Sequence, residues 1–401
     1  MNLKTEKLNF EKSAVFMLVM SIIASGFNYL FQIISGRILS KEDYGSLNSV
    51  FSVVNIVTVV GVALGLSIAK SISESSEKIG ARIKRIFLIC VFSFPVFIAS
   101  VFVAMRLMNY DNSTSALTAI ATYFVSVSYV FHGALQGKQM FNKVGVFSVI
   151  LPAIKCAVGS LLIVIGLRFN WVLVAIMFGS ILSMAFGFTS LKGNIDFSEK
   201  TANYSEVSPV FGFLIFTLIS SLILVFYNNI DILLVRRYFS EYDVGIYSCS
   251  ALFGKIILYI PAILTTIMFP KAAQNSRDKS ILFKTLGYSF LISFAASAIL
   301  YLLRSFVIKI IMGAEFESAG DYILPLIAEI LPLVLITVLV NFLIARSDKW
   351  FVTLACVISV AFIVTVAHFF HSDIKTLLLS LSAVYAVLFI ILLVRGLKKD
   401  A

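Results

Sequence analysis

The sequence predicts an all-α polytopic membrane protein of about twelve transmembrane helices, and two observations lead to this fold class. Of the 401 residues, 60% are hydrophobic and only 13% are charged, whereas a soluble domain carries about 25% charged residues. The apolar residues are gathered in stretches of about 19 to 29 residues, and a helix needs roughly 20 to cross the hydrocarbon core. Because lipid offers the backbone no hydrogen-bond partner, each stretch is predicted to be helical.

Short polar segments separate these stretches and set their approximate bounds. The twelve predicted helices cover residues 13–36, 46–69, 86–105, 114–135, 144–167, 170–191, 209–235, 245–270, 284–303, 322–345, 350–370 and 376–394. The polar segment 192–208 divides them into two sets of six. We therefore expect an N-terminal six-helix lobe at 1–191, a linker at 192–208 and a C-terminal six-helix lobe at 209–401.

The distribution of lysine and arginine predicts the orientation of the chain. The N-terminus, the even-numbered loops and the C-terminus contain 21 of these residues, and the odd-numbered loops contain nine. Basic loops stay in the cytoplasm, so both termini and the linker are expected there. The net charge of +11 is then explained by anchoring to anionic headgroups, and it does not indicate nucleic acid. The sequence has no glycine-rich phosphate loop and no nucleotide-binding segment, so no cofactor is predicted.

An internal repeat appears at an offset of 200 residues. GRILSKEDYGSLNS (36–49) aligns with RRYFSEYDVGIYSC (236–249). The identical pairs are Arg37 and Arg237, Ser40 and Ser240, Asp43 and Asp243, Gly45 and Gly245, and, further back, Ser21 and Ser221, and Asn28 and Asn228. Six helices per half would insert both halves in the same orientation, related by a pseudo-two-fold axis along the membrane normal, as in other transporters built from repeats.

Three segments (36–73, 228–274 and 305–327) resemble the polysaccharide flippases (Wzx-type) of the multidrug/oligosaccharidyl-lipid/polysaccharide exporter superfamily. The resemblance implies a MATE-like exporter fold with two lobes that alternate between inward-open and outward-open forms. It also implies a cargo, an undecaprenyl-pyrophosphate-linked oligosaccharide, that is flipped from the cytoplasmic to the outer leaflet of the bacterial inner membrane. Expected partners are this lipid-linked oligosaccharide, membrane lipids, and a polysaccharide polymerase and chain-length regulator.

Two other functions remain open at this stage. A drug or small-molecule exporter of the same superfamily would share the fold. A membrane-embedded glycan polymerase or acyltransferase would be expected to have a large outer loop or a cluster of His, Asp and Arg at one face. The outer loops are mostly under about twelve residues, and no nucleophile arrangement is visible, so we do not predict an enzyme.

Ionisable residues within the apolar stretches are the candidate site residues, because a charge at bilayer depth costs about 2.5–3.5 kcal/mol on insertion scales. Lys155 and Lys255 each lie near the middle of a predicted helix. Either they line a water-filled cavity and attract the pyrophosphate, or they pair with a carboxylate for packing alone. Asp231 and Glu329 either pair with a lysine or take up a proton that couples transport to a gradient. Near the outer edge, Asp231 could also be solvated or contact the nearby arginines.

The remaining candidates have equally open roles. Asn28 and Asn228 either hydrogen-bond sugar hydroxyls or contact a neighbouring helix. Arg37 and Arg237, at the outer ends of their helices, either anchor in the headgroups or contact the cargo on release. His132 is either a proton acceptor or a histidine at the membrane interface. No metal site is predicted.

Overall fold

The structure is a computed structural model, which describes residues 3–75, 77–193, 195, 201–259, 279–345 and 349–397. Within these ranges all regular secondary structure is helical. The α-helices are α1 Leu3–Ile38, α2 Lys41–Glu74, α3 Ile79–Leu107, α4 Asn112–Gly137, α5 Phe141–Ile154, α6 Ser160–Val164, α7 Val172–Lys192, α8 Tyr204–Tyr227, α9 Ile230–Tyr238, α10 Glu241–Gly254, α11 Lys279–Ile311, α12 Ile323–Ala345, α13 Lys349–Phe369 and α14 Ile374–Leu397.

Four shorter helical turns complete these elements. A π-helical turn, Lys155–Gly159, joins α5 to α6 without a break in the helix. Three 3₁₀ segments are Phe169–Trp171 before α7, Lys255–Leu258 after α10 and Ala314–Tyr322 before α12. Turns of this kind interrupt the regular α-helical hydrogen bonding and are often found at functional sites.

Eleven helical segments of the described residues are long and apolar enough to span a membrane. They correspond to eleven of the twelve predicted spans, so the chain is a multi-pass membrane protein. The remaining prediction, at 245–270, begins within α10 and the following 3₁₀ turn, and its second part, 260–270, lies outside the described residues. Several helices extend beyond the predicted bounds, because polar residues continue the helix past the edge of the hydrocarbon core.

Side chains at the helix starts explain where several helices begin. Asp111 accepts a hydrogen bond from the Thr114 backbone N–H at 3.1 Å and so caps α4. Asp373 caps α14 by accepting from the Thr376 N–H at 2.9 Å. Such caps satisfy backbone donors that have no partner in the first turn of a helix. At Asp373 the same hydrogen bonds from Thr376 hold the pKa of the carboxyl below its ordinary value.

The described chain clusters into two compact units. Unit 1 contains Met1–Leu39 and Val53–Leu222, and unit 2 contains Ser40–Ser52 and Ile223–Ala401. The first turns of α2 therefore group with unit 2 and the rest of that helix with unit 1, and the second boundary, between Leu222 and Ile223, falls within α8. The division predicted at 192–208 stays a prediction.

Each unit has an apolar core of its own. In unit 1, a cluster of buried side chains near the 192–208 segment joins Ile68 of α2, Ile83 of α3, Phe131 of α4, Phe147 of α5 and Val207 of α8. In unit 2, α12 packs along α14 and against α11. Helix α12 is the most deeply buried of them, since both faces carry aliphatic side chains that are shielded from the surroundings. These cores hold the polar side chains described below at fixed positions within the membrane.

Candidate functional site

A break in a membrane helix creates the centre of the site in unit 2. The sequence predicts one continuous helix at 209–235, but the structure has two helices, α8 and α9, with Asn228 and Asn229 between them. This difference has a local cause, since asparagine side chains compete with the backbone for hydrogen bonds. The side-chain amide of Asn229 donates to the Val225 carbonyl oxygen at 2.7 Å. The turn leaves the Asn228 carbonyl oxygen available to a side chain from another helix.

Lys255 fills this opening. Its Nζ donates to the Asn228 carbonyl oxygen at 2.7 Å and lies 2.8 Å from Asp231 Oδ1. The Asp231 side chain is 2% exposed and the Lys255 side chain 22%. Asp231 is thus not solvated at the outer edge, which was one of its predicted alternatives. Lys255 stands at the first residue of the 3₁₀ turn that follows α10.

Tyr247 completes the coordination of the buried carboxylate. Its hydroxyl donates to Asp231 Oδ2 at 2.6 Å, so each oxygen of Asp231 accepts one strong hydrogen bond. Hydrogen bonds to an ionised group are roughly twice as strong as neutral ones. A buried carboxylate is costly unless it is paired and hydrogen-bonded, and Lys255 and Tyr247 supply both contacts to Asp231.

A second buried carboxyl group stands beside this pair. Glu329 of α12 is 2% exposed and interacts electrostatically with both Asp231 and Lys255. Its Oε2 forms no hydrogen bond within the part of the chain that the structure describes. Two carboxyl groups and one ammonium therefore share a buried environment. This group of side chains, Asp231, Tyr247, Lys255 and Glu329, is called the charged cluster below.

Two further tyrosines border the charged cluster and were missed by the sequence analysis. Tyr385 is fully buried, and its neighbours include Glu329 and Asp231. The rings of Tyr385 and Tyr227 lie edge to face with centroids 5.4 Å apart. The Tyr227 hydroxyl is hydrogen-bonded to Ser359 Oγ. Tyrosine is common near membrane interfaces, so only the depth of these residues within the predicted spans could have indicated a polar site.

Lys155, the candidate lysine of unit 1, has different partners. Lys155 Nζ donates to Asn28 Oδ1 at 2.5 Å and lies 5.2 Å from the centroid of the Phe31 ring. Phe31 is the residue that the 200-residue offset aligns with Asp231. A ring face attracts a cation, though less strongly than a carboxylate does. Lys155 opens the π-helical turn, three residues after Pro152, whose ring disturbs regular helical bonding.

The structure places the other predicted residues apart from these contacts. Arg37 and Arg237 are exposed at the ends of α1 and α9. His132 is half-buried between the rings of Tyr129 and Phe147, with centroids at 5.6 and 5.3 Å. Asn28 and Asn228 contact their lysines in different ways. Asn28 accepts the hydrogen bond from Lys155 through its side-chain oxygen.

Asn228 instead accepts the hydrogen bond from Lys255 through its backbone carbonyl oxygen. Its side-chain Oδ1 is buried and has no hydrogen-bond partner among the described residues. In each half, an asparagine of the first helix therefore contacts a lysine from another helix. Within the described ranges, no three His, Cys, Asp or Glu residues are grouped closely enough to hold a metal ion.

Comparison with known sequences gives one family. The family described as polysaccharide biosynthesis protein matches residues 34–321 of the chain. Among curated proteins, no sequence matches the chain. The family match covers most of the sequence, including the segments 36–73 and 228–274 and most of 305–327, and it confirms the resemblance noted there.

Comparison with solved structures gives the fold. An inward-facing multidrug resistance MATE transporter of the MOP superfamily aligns with a TM-score of 0.76 at 13% identity, covering 96% of this chain and 97% of that one. The lipid II flippase MurJ, in an inward closed conformation, aligns at 0.74 and 13%, covering 95% and 87%. A MOP superfamily transporter from Pyrococcus furiosus aligns at 0.64 and 14%, covering 95% and 93%. The predicted fold class, an all-α polytopic membrane protein with a MATE-like exporter fold, is confirmed.

Proposed function

The chain belongs to the polysaccharide biosynthesis protein family, and from this premise we propose that it is a flippase for a lipid-linked oligosaccharide. The cargo would be an undecaprenyl-pyrophosphate-linked oligosaccharide that alternating access moves from the cytoplasmic to the outer leaflet of the bacterial inner membrane. The product would serve the synthesis of a surface polysaccharide such as O-antigen or capsule. Both chain termini would lie in the cytoplasm, as the basic loops predict.

One observation carries this proposal, the buried contact between Lys255 and Asp231 at the helix break. Burial of an ion pair seldom stabilises a fold more than well-packed apolar residues would, so a structural role alone is a weak explanation. Broken membrane helices place free carbonyl groups and charged side chains at substrate sites of many transporters. The Lys255 side chain remains partly exposed, so an anionic group can approach it.

The residues take distinct roles in this mechanism. Lys155 and Lys255 would attract the pyrophosphate as point charges. Asn228, whose side-chain oxygen has no hydrogen-bond partner among the described residues, would hydrogen-bond sugar hydroxyls. Asn28 would do the same once Lys155 has turned to the cargo. Arg37 and Arg237, exposed at the helix ends, would contact the charged headgroup on release. A polymerase and a chain-length regulator would receive the product on the outer side.

Asp231 and Glu329 would couple this cycle to a proton gradient. In the charged cluster, a single ammonium balances only one carboxylate, so a proton on Glu329 makes the cluster neutral. Loss of that proton would create a second anion that competes with Asp231 for Lys255. Lys255 could then exchange between the carboxylates and the cargo. His132, packed between two rings in unit 1, is the remaining candidate for proton transfer.

A drug or small-molecule exporter is the second candidate, because the MATE transporter aligns with the chain as well as the lipid II flippase does. The two functions differ in what accumulates when the protein is lost. A flippase defect leaves lipid-linked oligosaccharide on the cytoplasmic leaflet, whereas an exporter defect does not. The three solved structures compared above are described as transporters or as a flippase, which favours a transport function over a glycan polymerase.

The test is to measure surface polysaccharide and lipid-linked intermediates in three strains. One lacks the protein, one carries Lys255→Ala and one carries Lys155→Ala. Lys284→Ala serves as the matched control, since Lys284 is an exposed lysine of α11. We expect surface polysaccharide to fall and lipid-linked intermediates to accumulate in the deletion and in both site variants, the variants being compared with the wild type at matched protein levels. Unchanged polysaccharide in the deletion strain would contradict the flippase function and favour the exporter.

A further inference from the structure

Tyr247 is the member of the charged cluster to which the proposed function gives no part. It lies within α10, and Lys255 follows it by eight residues, about 12 Å of helical rise. Their long side chains nevertheless meet at one carboxylate, since the Tyr247 hydroxyl donates to Asp231 Oδ2 at 2.6 Å and Lys255 Nζ lies 2.8 Å from Oδ1. Asp231 belongs to α9. One helix and the turn after it therefore supply both contacts to a carboxylate of another helix.

The two contacts differ in how easily they can be exchanged. The Lys255 side chain is 22% exposed, and its flexible stem lets the ammonium group turn to another anion. Tyr247 is fully buried, and its ring packs edge to face against Tyr322 with centroids 6.3 Å apart. A rigid ring enclosed in this way cannot follow Lys255, so its hydrogen bond to Asp231 stays in place when the lysine leaves.

Departure of Lys255 would leave Asp231 without its ion-pair partner. A buried carboxylate that loses its counter-charge is costly, and a hydrogen bond that remains to it then contributes more. The neighbouring groups do not replace the lysine. Glu329 interacts electrostatically with Asp231 but is itself acidic, and Tyr385 donates its hydroxyl to a main-chain carbonyl oxygen at 3.4 Å. Among the described residues, the Tyr247 hydroxyl is therefore the donor that stays on Asp231 while Lys255 is engaged elsewhere.

We propose that Tyr247 is a positioning residue for anion binding at Lys255. Its hydroxyl keeps Asp231 hydrogen-bonded and in place, so that Lys255 can turn from Asp231 to an anionic group and return. This role rests on the proposed function for the identity of the anion, the pyrophosphate of the lipid carrier. Tyr247 itself does not touch the cargo. It lowers the free-energy cost of releasing the lysine from Asp231 and thereby strengthens binding of the anion.

Binding of inorganic pyrophosphate to the purified full-length protein in detergent, measured by isothermal titration calorimetry, tests this role. Lys255→Met defines the site, since the binding that this variant loses is the binding at Lys255. Tyr247→Phe keeps the ring and removes the hydroxyl. We expect it to weaken the Lys255-dependent binding about tenfold, equivalent to about 1.4 kcal/mol of binding free energy.

Tyr44→Phe is the matched control and should bind pyrophosphate as the wild type does. Tyr44 is also a fully buried tyrosine of unit 2, and its ring packs edge to face against Phe316 with centroids 5.6 Å apart. Its hydroxyl, however, has no hydrogen-bond partner among the described residues. The two variants therefore make the same chemical change in similar surroundings, and only Tyr247→Phe removes a hydrogen bond to a carboxylate.

A second background shows whether Tyr247 acts through Asp231. Asp231→Asn removes the counter-charge of Lys255, so pyrophosphate should bind more tightly than to the wild type. Adding Tyr247→Phe to this variant should change the affinity by less than about twofold, because the hydroxyl no longer supports a carboxylate. If Tyr247→Phe alone is too unstable to purify, Asp231→Asn still tests whether Asp231 competes with the anion for Lys255.

Several results would overturn the role of Tyr247. Wild-type affinity in Tyr247→Phe would show that the hydroxyl is not needed, and a loss of the same size in the Asp231→Asn background would show that it does not act through Asp231. Pyrophosphate binding that does not depend on Lys255, or that Asp231→Asn fails to strengthen, would show that the lysine does not exchange between the two anions.

The proposed function fails separately. If the affinities follow the expected order but deletion of the protein leaves surface polysaccharide and its lipid-linked intermediates unchanged, Tyr247 keeps its role for another anion and the oligosaccharide cargo is refuted. If deletion causes the intermediates to accumulate but Tyr247→Phe binds pyrophosphate as the wild type does, the cargo stands and the role of Tyr247 is refuted.

Discussion

Gly45 and Gly245, which the internal repeat aligns at an offset of 200 residues, lie in direct backbone contact. They belong to the first turns of α2 and α10, both in unit 2. A Cβ atom built on Gly45 would stand 2.5 Å from the Gly245 backbone nitrogen. A Cβ atom on Gly245 would overlap the Lys41 carbonyl group. The two repeat-related helix starts therefore cross at a distance that only glycine permits, which is a common device for close helix packing in membranes.

We predict that Gly45→Val destabilises the protein at this crossing. The added side chain meets backbone atoms, which cannot move aside as a flexible side chain can, and overpacking of this kind costs about 1–3 kcal/mol or more. The midpoint of thermal unfolding, measured by fluorescence-detected size exclusion in detergent, should fall by roughly 5 °C. Gly287→Val is the matched control, since a Cβ at Gly287 meets no atom within 4 Å. Equal midpoints for the two variants would refute the prediction.

The repeat illustrates what the sequence could predict about the fold. Ser40 and Ser240 have the same function, since each hydroxyl accepts a hydrogen bond from the backbone N–H of the aspartate three residues later, at 3.1 and 3.2 Å. Helix caps and glycine contacts depend on local residue types, so identities at these positions stand out against an apolar background. Span lengths were predictable for the same reason, because bilayer thickness fixes them.

Our second prediction concerns the Lys255–Asp231 pair. Lys255→Met leaves Asp231 as a buried anion, and Asp231→Asn leaves Lys255 without a counter-charge. Removing one partner of a buried ion pair lowers the free energy of unfolding by about 3–5 kcal/mol. Because Lys255 is partly exposed, we expect losses at the lower end of this range. Both single variants should therefore unfold at clearly lower temperatures than the wild type.

The double variant distinguishes charge balance from local packing. Lys255→Met combined with Asp231→Asn removes both charges, so its unfolding temperature should recover most of the loss while surface polysaccharide remains low. Lys284→Met controls for the substitution itself, because Lys284 lies exposed on α11. If the stability loss of the double variant equalled the sum of the losses of the two single variants, the two residues would act independently.

The sequence predicted the charged residues of this site but not the way in which they are connected. Depth in an apolar stretch identified Lys255, Asp231 and Glu329, because charge at that depth requires a partner. The partner itself depends on which helices are neighbours, and helices of uniform apolar composition contain little information about this. The break at Asn228 was also missed, since two asparagines weaken a helix without preventing it.

A third prediction concerns the end of α2 in unit 1. The Arg82 guanidinium donates to the carbonyl oxygens of Ser71, Ser75 and Glu77 and to the Ser71 hydroxyl. These acceptors belong to the last turn of α2 and to the loop after it, so one guanidinium group joins the end of the helix to the segment that follows. Lysine keeps the charge but cannot reach several acceptors in the fixed fork geometry of arginine.

Arg82→Lys should therefore lower the free energy of unfolding by about 2–3 kcal/mol, since hydrogen bonds to charged groups contribute about 1.5–3 kcal/mol each. Thermal unfolding in detergent measures the loss. Arg106→Lys is a useful comparison, because the Arg106 guanidinium donates to the Tyr110 carbonyl oxygen rather than to several acceptors, and we expect a smaller effect there. If Arg82→Lys unfolds at the wild-type temperature, a single positive charge is sufficient at this position.

The last prediction separates the structural and the coupling roles of Glu329. Glu329→Gln has nearly the same shape and no charge, so it should leave protein abundance and unfolding temperature close to wild type. Glu329→Ala leaves a cavity, and we expect it to lower the free energy of unfolding by about 2–4 kcal/mol. If Glu329 takes up the proton that drives transport, the glutamine variant cannot respond to a pH gradient although it folds normally.

Transport of a lipid-linked oligosaccharide in proteoliposomes, with and without an imposed pH gradient, tests this. Wild-type flux should increase with the gradient, whereas flux of Glu329→Gln should be low and independent of it. Glu315→Gln makes the same chemical change at an exposed residue of the 3₁₀ segment before α12 and should behave as the wild type. A gradient response that persists in Glu329→Gln would exclude Glu329 as the coupling group and leave Asp231, whose two oxygens are already occupied by Lys255 and Tyr247, as the carboxylate to examine.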